Sequence, residues 1–384
     1  LEEDYLLEAW RSTFVSGAAG VHIQRFQSEF ARRIAGCEHG VAVSNGTVAL
    51  HLALMALNLK SGDKVYLPNF TYVATAAAVV AAGGKPVLVD CDKTGRMDPE
   101  AIRMALQIKD DDAKEEEESR QQFLMVVHLY GHPCDMIAIM AIASEYNLIV
   151  IEDCAEAHGA KCGGRLVGSF GQASTYSFFA NKIMTTGEGG MVCTNDAKLA
   201  ERLKFLSTHA MDPNQRYFHT EVGFNYRMSN LLCAIGCAQL ERFSALVEGR
   251  QRLINYYKQE IDGICGGVLV NPTFADDVVL SPWLACIYLT DVLSSHRDEI
   301  CKKLLLFYRI DTRPFFHPLH VMPPYSDCVT VTREGKNHVP VNSIRMHQLG
   351  FNIPTASDMS DVNAKHIVTS IQAVLAEYSG VAGC

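Results

Sequence analysis

The stretch "NLIVIEDCAEAHGA" (147–160) opens with a run of Leu, Ile and Val and then turns abruptly acidic. A near-continuous apolar run has no polar face to offer water, so it suits a strand covered on both sides. Three further runs share this texture: "KVYLP" (64–68), "PVLVD" (86–90) and "FLMVVHLYG" (123–131). Between them stand helical patterns, "TVALHLALMALNL" (47–59), "ATAAAVVAAG" (74–83) and "MIAIMAIASEYN" (136–147). Strand alternating with helix predicts an α/β fold, a mostly parallel sheet with helices on both faces.

Beyond residue 245 the texture changes. "LVEGRQRLINYYKQEI" (246–261) reads as a long connecting helix. It is followed by a shorter strand in "WLACIYLT" (283–290), a helix over 295–307 and a terminal helix beginning at Asp361. We expect a large α/β domain over 1–245 and a smaller α+β domain over 246–384, with an active site in the cleft between them. "RPFFHPLHVMPPY" (313–325) is too rich in proline for a regular element and predicts an ordered series of turns. "DDDAKEEEES" (110–119) is a like-charge block expected to be a solvated loop.

Hydrophobic residues at 48% and charged residues at 20% suit a soluble enzyme. The net charge of -9 argues against a nucleic-acid binder, while leaving room for a local basic pocket. The 13 cysteines are scattered, many inside apolar runs, as Cys193 and Cys286 are. Cys233 and Cys237 are placed to share one helix face. No paired CxxC suggests zinc, so free thiols in a reducing cytosol are expected. The chain begins at Leu1 rather than Met, as a trimmed N-terminus would, and shows no signal peptide. The longest apolar stretch, 73–82, is too short to span a bilayer, so a cytoplasmic protein with no membrane partner is expected.

"SNGTVALHLAL" (44–54) places small polar residues just before an amphipathic helix. Gly46 would let backbone amides approach a ligand, and the helix end favours an anion; this is a phosphate cradle or an ordinary cap by Ser or Thr. Strand ends are where ligands sit in open α/β sheets, and neighbours on a strand alternate faces. Either Glu152 or Asp153 therefore turns toward the crevice. A buried carboxylate there needs magnesium or a protonated ring nitrogen, and no second acid cluster or phosphate-loop lysine supports magnesium. In "SFFANKIMTTGEGG" (177–190), Lys182 sits near Tyr176, Phe178 and Phe179, where burial lowers a lysine's pKa toward a neutral, reactive amine. Ser177 offers a second phosphate contact. Cradle, acid and buried lysine, in that order, describe a pyridoxal phosphate site. No metal is expected: "HPLH" (317–320) lacks a third ligand and is bracketed by prolines. His158 reads as a packed ring at least as readily as a catalytic one, and Arg216 and Arg227 as surface-paired cations or as contacts to a substrate phosphate.

Eight stretches carry a resemblance: "FVSGAAGVHIQRFQSEFA" (14–31), "SNGTVALHLAL", "PNFTYVATAAAVV" (68–80), "EDCAEAHGA" (152–160), "SFFANKIMTTGEGGMVCTND" (177–196), "VGFNYRMSNLLCAIGCAQLE" (222–241), "RPFFHPLH" (313–320) and "GFNIPT" (350–355). Together they resemble the DegT/DnrJ/EryC1/StrS sugar aminotransferases, fold type I pyridoxal phosphate enzymes, over nearly the whole chain. The resemblance implies that Lys182 anchors the cofactor covalently and moves the proton, and that Asp153 pairs with the pyridine nitrogen. It implies that Glu156 faces the ring oxygen, where relatives often carry glutamine, and that Tyr72 stacks on the ring. Gly46, Thr47 and Ser177 match phosphate ligands. Asn225 matches an asparagine reaching the phosphate of a neighbouring subunit, which implies a homodimer with shared active sites. Arg313 and His317 match a loop lining the nucleotide-sugar pocket.

The implied activity moves an amino group from glutamate to C4 of a nucleotide-linked 4-keto-6-deoxy sugar. "HAMDPNQRYFHTEVGFNYRMSN" (209–230) and "DTRPFFHPLHVMPPY" (311–325) most resemble members that act on GDP-4-keto-6-deoxymannose; a UDP- or dTDP-linked sugar is the alternative. A dehydratase on this fold would carry histidine in place of Lys182. A regulator without turnover would not need Lys182, Asp153 and Asn225 intact.

Overall fold

A computed structural model describes residues 1–108 and 121–378. The acidic block at 110–119 lies outside the described residues. The strands are β1 His39–Val43, β2 Lys64–Pro68, β3 Lys85–Val89, β4 Phe123–Val127, β5 Ile149–Asp153, β6 Lys161–Cys162, β7 Arg165–Leu166 and β8 Ala173–Ser177. They continue as β9 Gly190–Thr194, β10 Leu269–Val270, β11 Val278–Val279, β12 Ala285–Tyr288, β13 Arg313–Pro314, β14 Val329–Thr332, β15 Gly335–Lys336 and β16 Gly350–Ile353.

The large sheet runs β1-β9-β8-β5-β4-β2-β3-β14-β15. Its centre, from β8 through β14, is parallel throughout, and β9 and β15 run against it. The expected α/β architecture is present. β4 shows why its sequence becomes a central strand: all five residues of "FLMVV" are buried. Alternate side chains point to opposite faces, so Leu124 and Val126 enter one core while Phe123 and Met125 enter another. The run "FLMVVHLYG" does not continue as strand beyond Val127. Tyr130 (φ 52°) and Gly131 (φ 79°) turn the backbone left-handed instead. An added Cβ on Gly131 would stand 2.1 Å from the carbonyl oxygen of Ser281, so only glycine fits that turn.

A smaller antiparallel sheet, β10-β12-β16-β13, packs beneath the helices Phe243–Ile261, Arg297–Tyr308 and Asp361–Ala376. Its core gathers Leu253, Tyr257, Ile287, Phe351 and Ile371. One crossing between the two parts was not expected. β14 and β15 belong in sequence to 246–384, yet β14 pairs in parallel with β3 and extends the large sheet. Among the described residues eleven cysteines are free, nine of them buried, with Cys233 and Cys237 on one helix as expected. Cys265 departs from the expectation of free thiols, because it is disulfide-bonded. Among the described residues no helix is long and apolar enough to cross a membrane.

Candidate active site

β4 and β5 end level, with Val127 opposite Asp153, while β8 runs on from Thr175, the partner of Asp153, to Ser177. This places the acids of 152–153 at the C-terminal edge of the sheet, and alternation separates them. Glu152 turns to one side, where its carboxylate accepts from the amides of Gly168 (2.7 Å), Phe170 (2.7 Å) and Gly171 (2.8 Å). It also meets Nε2 of His128 at 3.1 Å. The Cys134 amide donates to Nδ1 of His128, so the ring proton faces Glu152. His128, Glu152 and Cys154 lie close enough together to hold a metal. The carboxylate's oxygens are already committed to four donors, which is the arrangement of a structural tie for the 168–171 turn.

Asp153 is therefore the acid that faces the crevice. It accepts from Thr75 Oγ1 and from the Ala155 amide, both at 3.1 Å. Burial raises its pKa, and these donors together with Lys182 pull it back. The helix Gly46–Ala56 starts on the same side. Its cap is Asn45, not Ser44 or Thr47: the Asn45 side chain accepts from the Val48 amide at 3.0 Å. The Ala49 amide returns to the Asn45 carbonyl, leaving the first-turn amides of Gly46 and Thr47 to an incoming anion. An added Cβ on Gly46 would lie 2.8 Å from Cβ of Ser177, so the helix end and the end of β8 touch. This brings together the two segments expected to cradle a phosphate, "SNGT" and Ser177, with glycine required at the contact.

Lys182 follows β8 in a turn closed by its amide donating to the Phe179 carbonyl at 2.9 Å. Its Nζ is 3.8 Å from Oε1 of Glu156 and 3.9 Å from the ring centroid of Trp283. Burial lowers its pKa, against the pull of Glu156 and Asp153. Burial likewise raises the Glu156 carboxyl to about 7, although Lys182 and the Tyr130 amide favour its charged form. Acid and amine thus both lean toward neutrality for one cause, removal from water. The Tyr130 amide donates to Glu156 Oε2 at 2.7 Å, and the Tyr130 hydroxyl accepts from the Phe316 amide at 2.9 Å. Tyr130 thereby connects Glu156 to the proline-rich loop.

That loop approaches Tyr72, whose ring is 54% exposed and meets Phe316 at 5.4 Å. Asn69, at the end of β2, holds the loop through its side chain, which accepts from the His320 amide at 3.0 Å. The His317 and His347 rings lie 3.9 Å apart, tilted by 33°. Arg313 stands apart from this cluster: its exposed guanidinium faces Asp311 at 3.7 Å. Asn225 is exposed, with its carbonyl oxygen engaged by Arg227 at 3.0 and 3.2 Å. His158 is packed among Phe30, Tyr176 and Phe178, and burial lowers its pKa to about 3, which fits a neutral space-filling ring.

Four residues at this site escaped the sequence reading: Thr75, Tyr130, Arg250 and Trp283. Only Tyr130 carried a local signal, in the glycine that follows it.

The architecture recurs in solved structures. The aminotransferase TlmJ from Streptoalloteichus hindustanus superposes with a TM-score of 0.85 at 26% identity, over 98% of this chain and 96% of that one. A GDP-perosamine synthase from Caulobacter vibrioides is 38% identical over 379 residues, covering 97% of this chain and 95% of its own. A second, from Escherichia coli O157:H7, is 38% identical over 370 residues, covering 96% and 94%. The sequence model of the DegT/DnrJ/EryC1/StrS aminotransferase family matches residues 2–372. Matched over that span, and with relatives above a third identical along almost their whole length, the chain belongs to the DegT/DnrJ/EryC1/StrS aminotransferase family.

Proposed function

We propose that this aminotransferase takes an amino group from glutamate and places it on C4 of GDP-4-keto-6-deoxymannose, giving GDP-perosamine, with pyridoxal phosphate as cofactor. The observation that carries the chemistry is the buried Lys182 amine, 3.8 Å from Glu156, with Asp153 at the neighbouring strand end. The substrate rests on the two GDP-perosamine synthases that align along almost the full chain.

The donor set fits the cofactor. Gly46 lets the helix end close on Ser177, where a Cβ would collide, and the amides of Gly46 and Thr47 with the Ser177 hydroxyl would bind a phosphate. Asp153 is a buried carboxylate held by two neutral donors, so it has charge to give to a protonated ring nitrogen. Pyridoxal phosphate, when bound, supplies a carbonyl that takes up amino groups and a ring that draws electrons from the substrate carbon. Lys182 would anchor it. With the amine's pKa lowered by burial, Nζ is able to accept a proton and return it. Glu156 faces that amine and keeps a proton close to it. Trp283 and Tyr130 close the inner wall against water, and Tyr72 with Phe316 forms an apolar plate at the mouth. His317 and Arg313, on the exposed loop, are proposed to meet the nucleotide sugar. Asn225, presented on the surface, is proposed to reach the phosphate site of a second subunit, which makes the working unit a homodimer. We place this enzyme in the cytoplasm and divide it into a large unit over 1–245 and a smaller one over 246–384.

The test is a turnover assay with glutamate against GDP-, UDP- and dTDP-linked 4-keto-6-deoxy sugars. Preference for the GDP-linked sugar supports the proposal, and preference for either other base overturns the substrate assignment. Lys182→Ala should abolish turnover with every sugar.

A further inference from the structure

Arg250 is a buried arginine, 7% exposed, on the helix Phe243–Ile261. Among the described residues no carboxylate forms an ion pair with it, and Asp358 supports its charge only from a longer distance. A guanidinium is charged at any working pH and costly to bury without a countercharge. Packing alone would favour an apolar residue there. What the guanidinium does instead is bind three main-chain carbonyls from three segments. Nη1 donates to Trp283 at 2.5 Å and to Thr355 at 3.1 Å, and Nη2 donates to Lys182 at 3.2 Å.

Its own position is fixed by the helix beneath it. An added Cβ on Gly249 would stand 2.2 Å from the Ser357 carbonyl oxygen, so the helix is pressed onto the 354–358 turn. Two turns along the same helix, the Tyr257 hydroxyl donates to the Pro354 carbonyl at 3.1 Å. The residue before Lys182 is held as well, because the Trp283 indole N–H donates to the Asn181 carbonyl at 2.9 Å. Two consecutive carbonyls, on either side of the Lys182 amide-to-carbonyl unit, are thus gripped from the C-terminal part of the chain. The Trp283 ring, placed by the same Arg250, covers the Lys182 amine.

We infer that Arg250 is a positioning residue for Lys182: it holds the lysine's main chain and the Trp283 cover still, so that only the side chain moves while the amine carries its proton. This rests on the proposal that Lys182 is the reactive amine. Reacting groups held in place gain most of their advantage from small distances, so a loosened anchor should tell on turnover rather than on binding.

Arg250→Met removes the donors at similar bulk, and Arg250→Lys returns the charge with a single point of contact. In the full-length enzyme loaded with pyridoxal phosphate, Arg250→Met should lower kcat by on the order of 100-fold, with KM for glutamate and for the sugar nucleotide within about twofold of wild type. Arg250→Lys should fall between. The second readout needs no turnover. In cofactor-free protein, the rate at which an acylating reagent labels Lys182, followed by peptide mass spectrometry, should rise several-fold as the amine loses its cover. Circular dichroism reports the folded fraction, and if Arg250→Met does not fold, Arg250→Lys carries both comparisons. An unchanged labelling rate, an unchanged kcat per folded enzyme, or a loss appearing in KM alone overturns the inference. Lys182→Ala separates it from the underlying assignment: turnover persisting in that variant defeats the catalytic role of Lys182, while the labelling comparison still judges the Arg250 contact.

Discussion

Replacing Glu156 with glutamine is the sharpest test of the buried acid–amine pair. The carboxyl is 5% exposed, and burial raises it from an ordinary 4.5 to about 7. At about 1.4 kcal/mol per pH unit, that difference is worth about 3 kcal/mol. The sign follows from which state holds the proton. Below pH 4.5 both folded and unfolded chains carry it, and the penalty is absent. Between 4.5 and 7 the unfolded chain ionises while the folded one does not, so stability drains away as pH rises, fully by pH 7. Glutamine keeps an oxygen for the Tyr130 amide and has nothing to titrate. It also removes a charge that supports the Lys182 ammonium, so the lysine deprotonates at lower pH when folded, which again favours the variant as pH rises. Urea unfolding of cofactor-free wild type and Glu156→Gln, at one protein concentration and from pH 4.5 to 8, should give curves that diverge by about 3 kcal/mol in the variant's favour. Curves that stay parallel across this range would refute the reasoning, whatever their offset.

Other substitutions probe the remaining supports. Gly46→Ala drives a methyl into Ser177, and overpacking of this kind costs about 1–3 kcal/mol; titration with pyridoxal phosphate should show affinity weakened by about tenfold or more, and unchanged affinity would mean that the cradle lies elsewhere. Glu152→Gln turns donor against donor among the amides of Gly168, Phe170 and Gly171, and should lower the unfolding free energy by about 1–3 kcal/mol; full stability in urea would show that the tie is dispensable. Asp153→Asn keeps the shape and removes the charge, and turnover should fall by on the order of 100-fold; an equally active variant would remove Asp153 from the ring-nitrogen role.

Much of the sheet was legible because buried parallel strands advertise themselves. "KVYLP", "PVLVD" and "NLIVIED" each fell within two residues of an observed strand. β14 was not, since "VTVT" is four residues of mixed polarity whose partner, β3, lies some 240 positions earlier, and local pattern cannot express such a pairing. The site divides the same way. Gly46, Ser177, Asp153 and Lys182 sit at the ends of periodic elements, where spacing and residue type speak together. Arg250 lies in an ordinary amphipathic helix and Trp283 beside an ordinary strand; their meaning comes from carbonyls on other segments. Strand alternation says that Glu152 and Asp153 differ without saying which faces the crevice; the resemblance named Asp153, and the amides of Gly168, Phe170 and Gly171 hold Glu152 on the other side.

The return of β14 to the large sheet bears on how this polypeptide can be taken apart. A fragment ending near residue 261 would retain the cofactor contacts proposed here on 46–225 but would strip β3 of its outer neighbour. An unpaired parallel edge of Val and Leu is a template for aggregation, so such a fragment should precipitate rather than serve as a miniature enzyme. The same stitch limits how this enzyme can close over a sugar nucleotide. The smaller part is fastened to the sheet through β14 and to the lysine turn through Arg250, so a swing of that part as a rigid jaw would have to break both contacts. Local movement of exposed segments costs fewer contacts, and the proline-rich loop that carries the exposed His317 is the segment packed beside Tyr72.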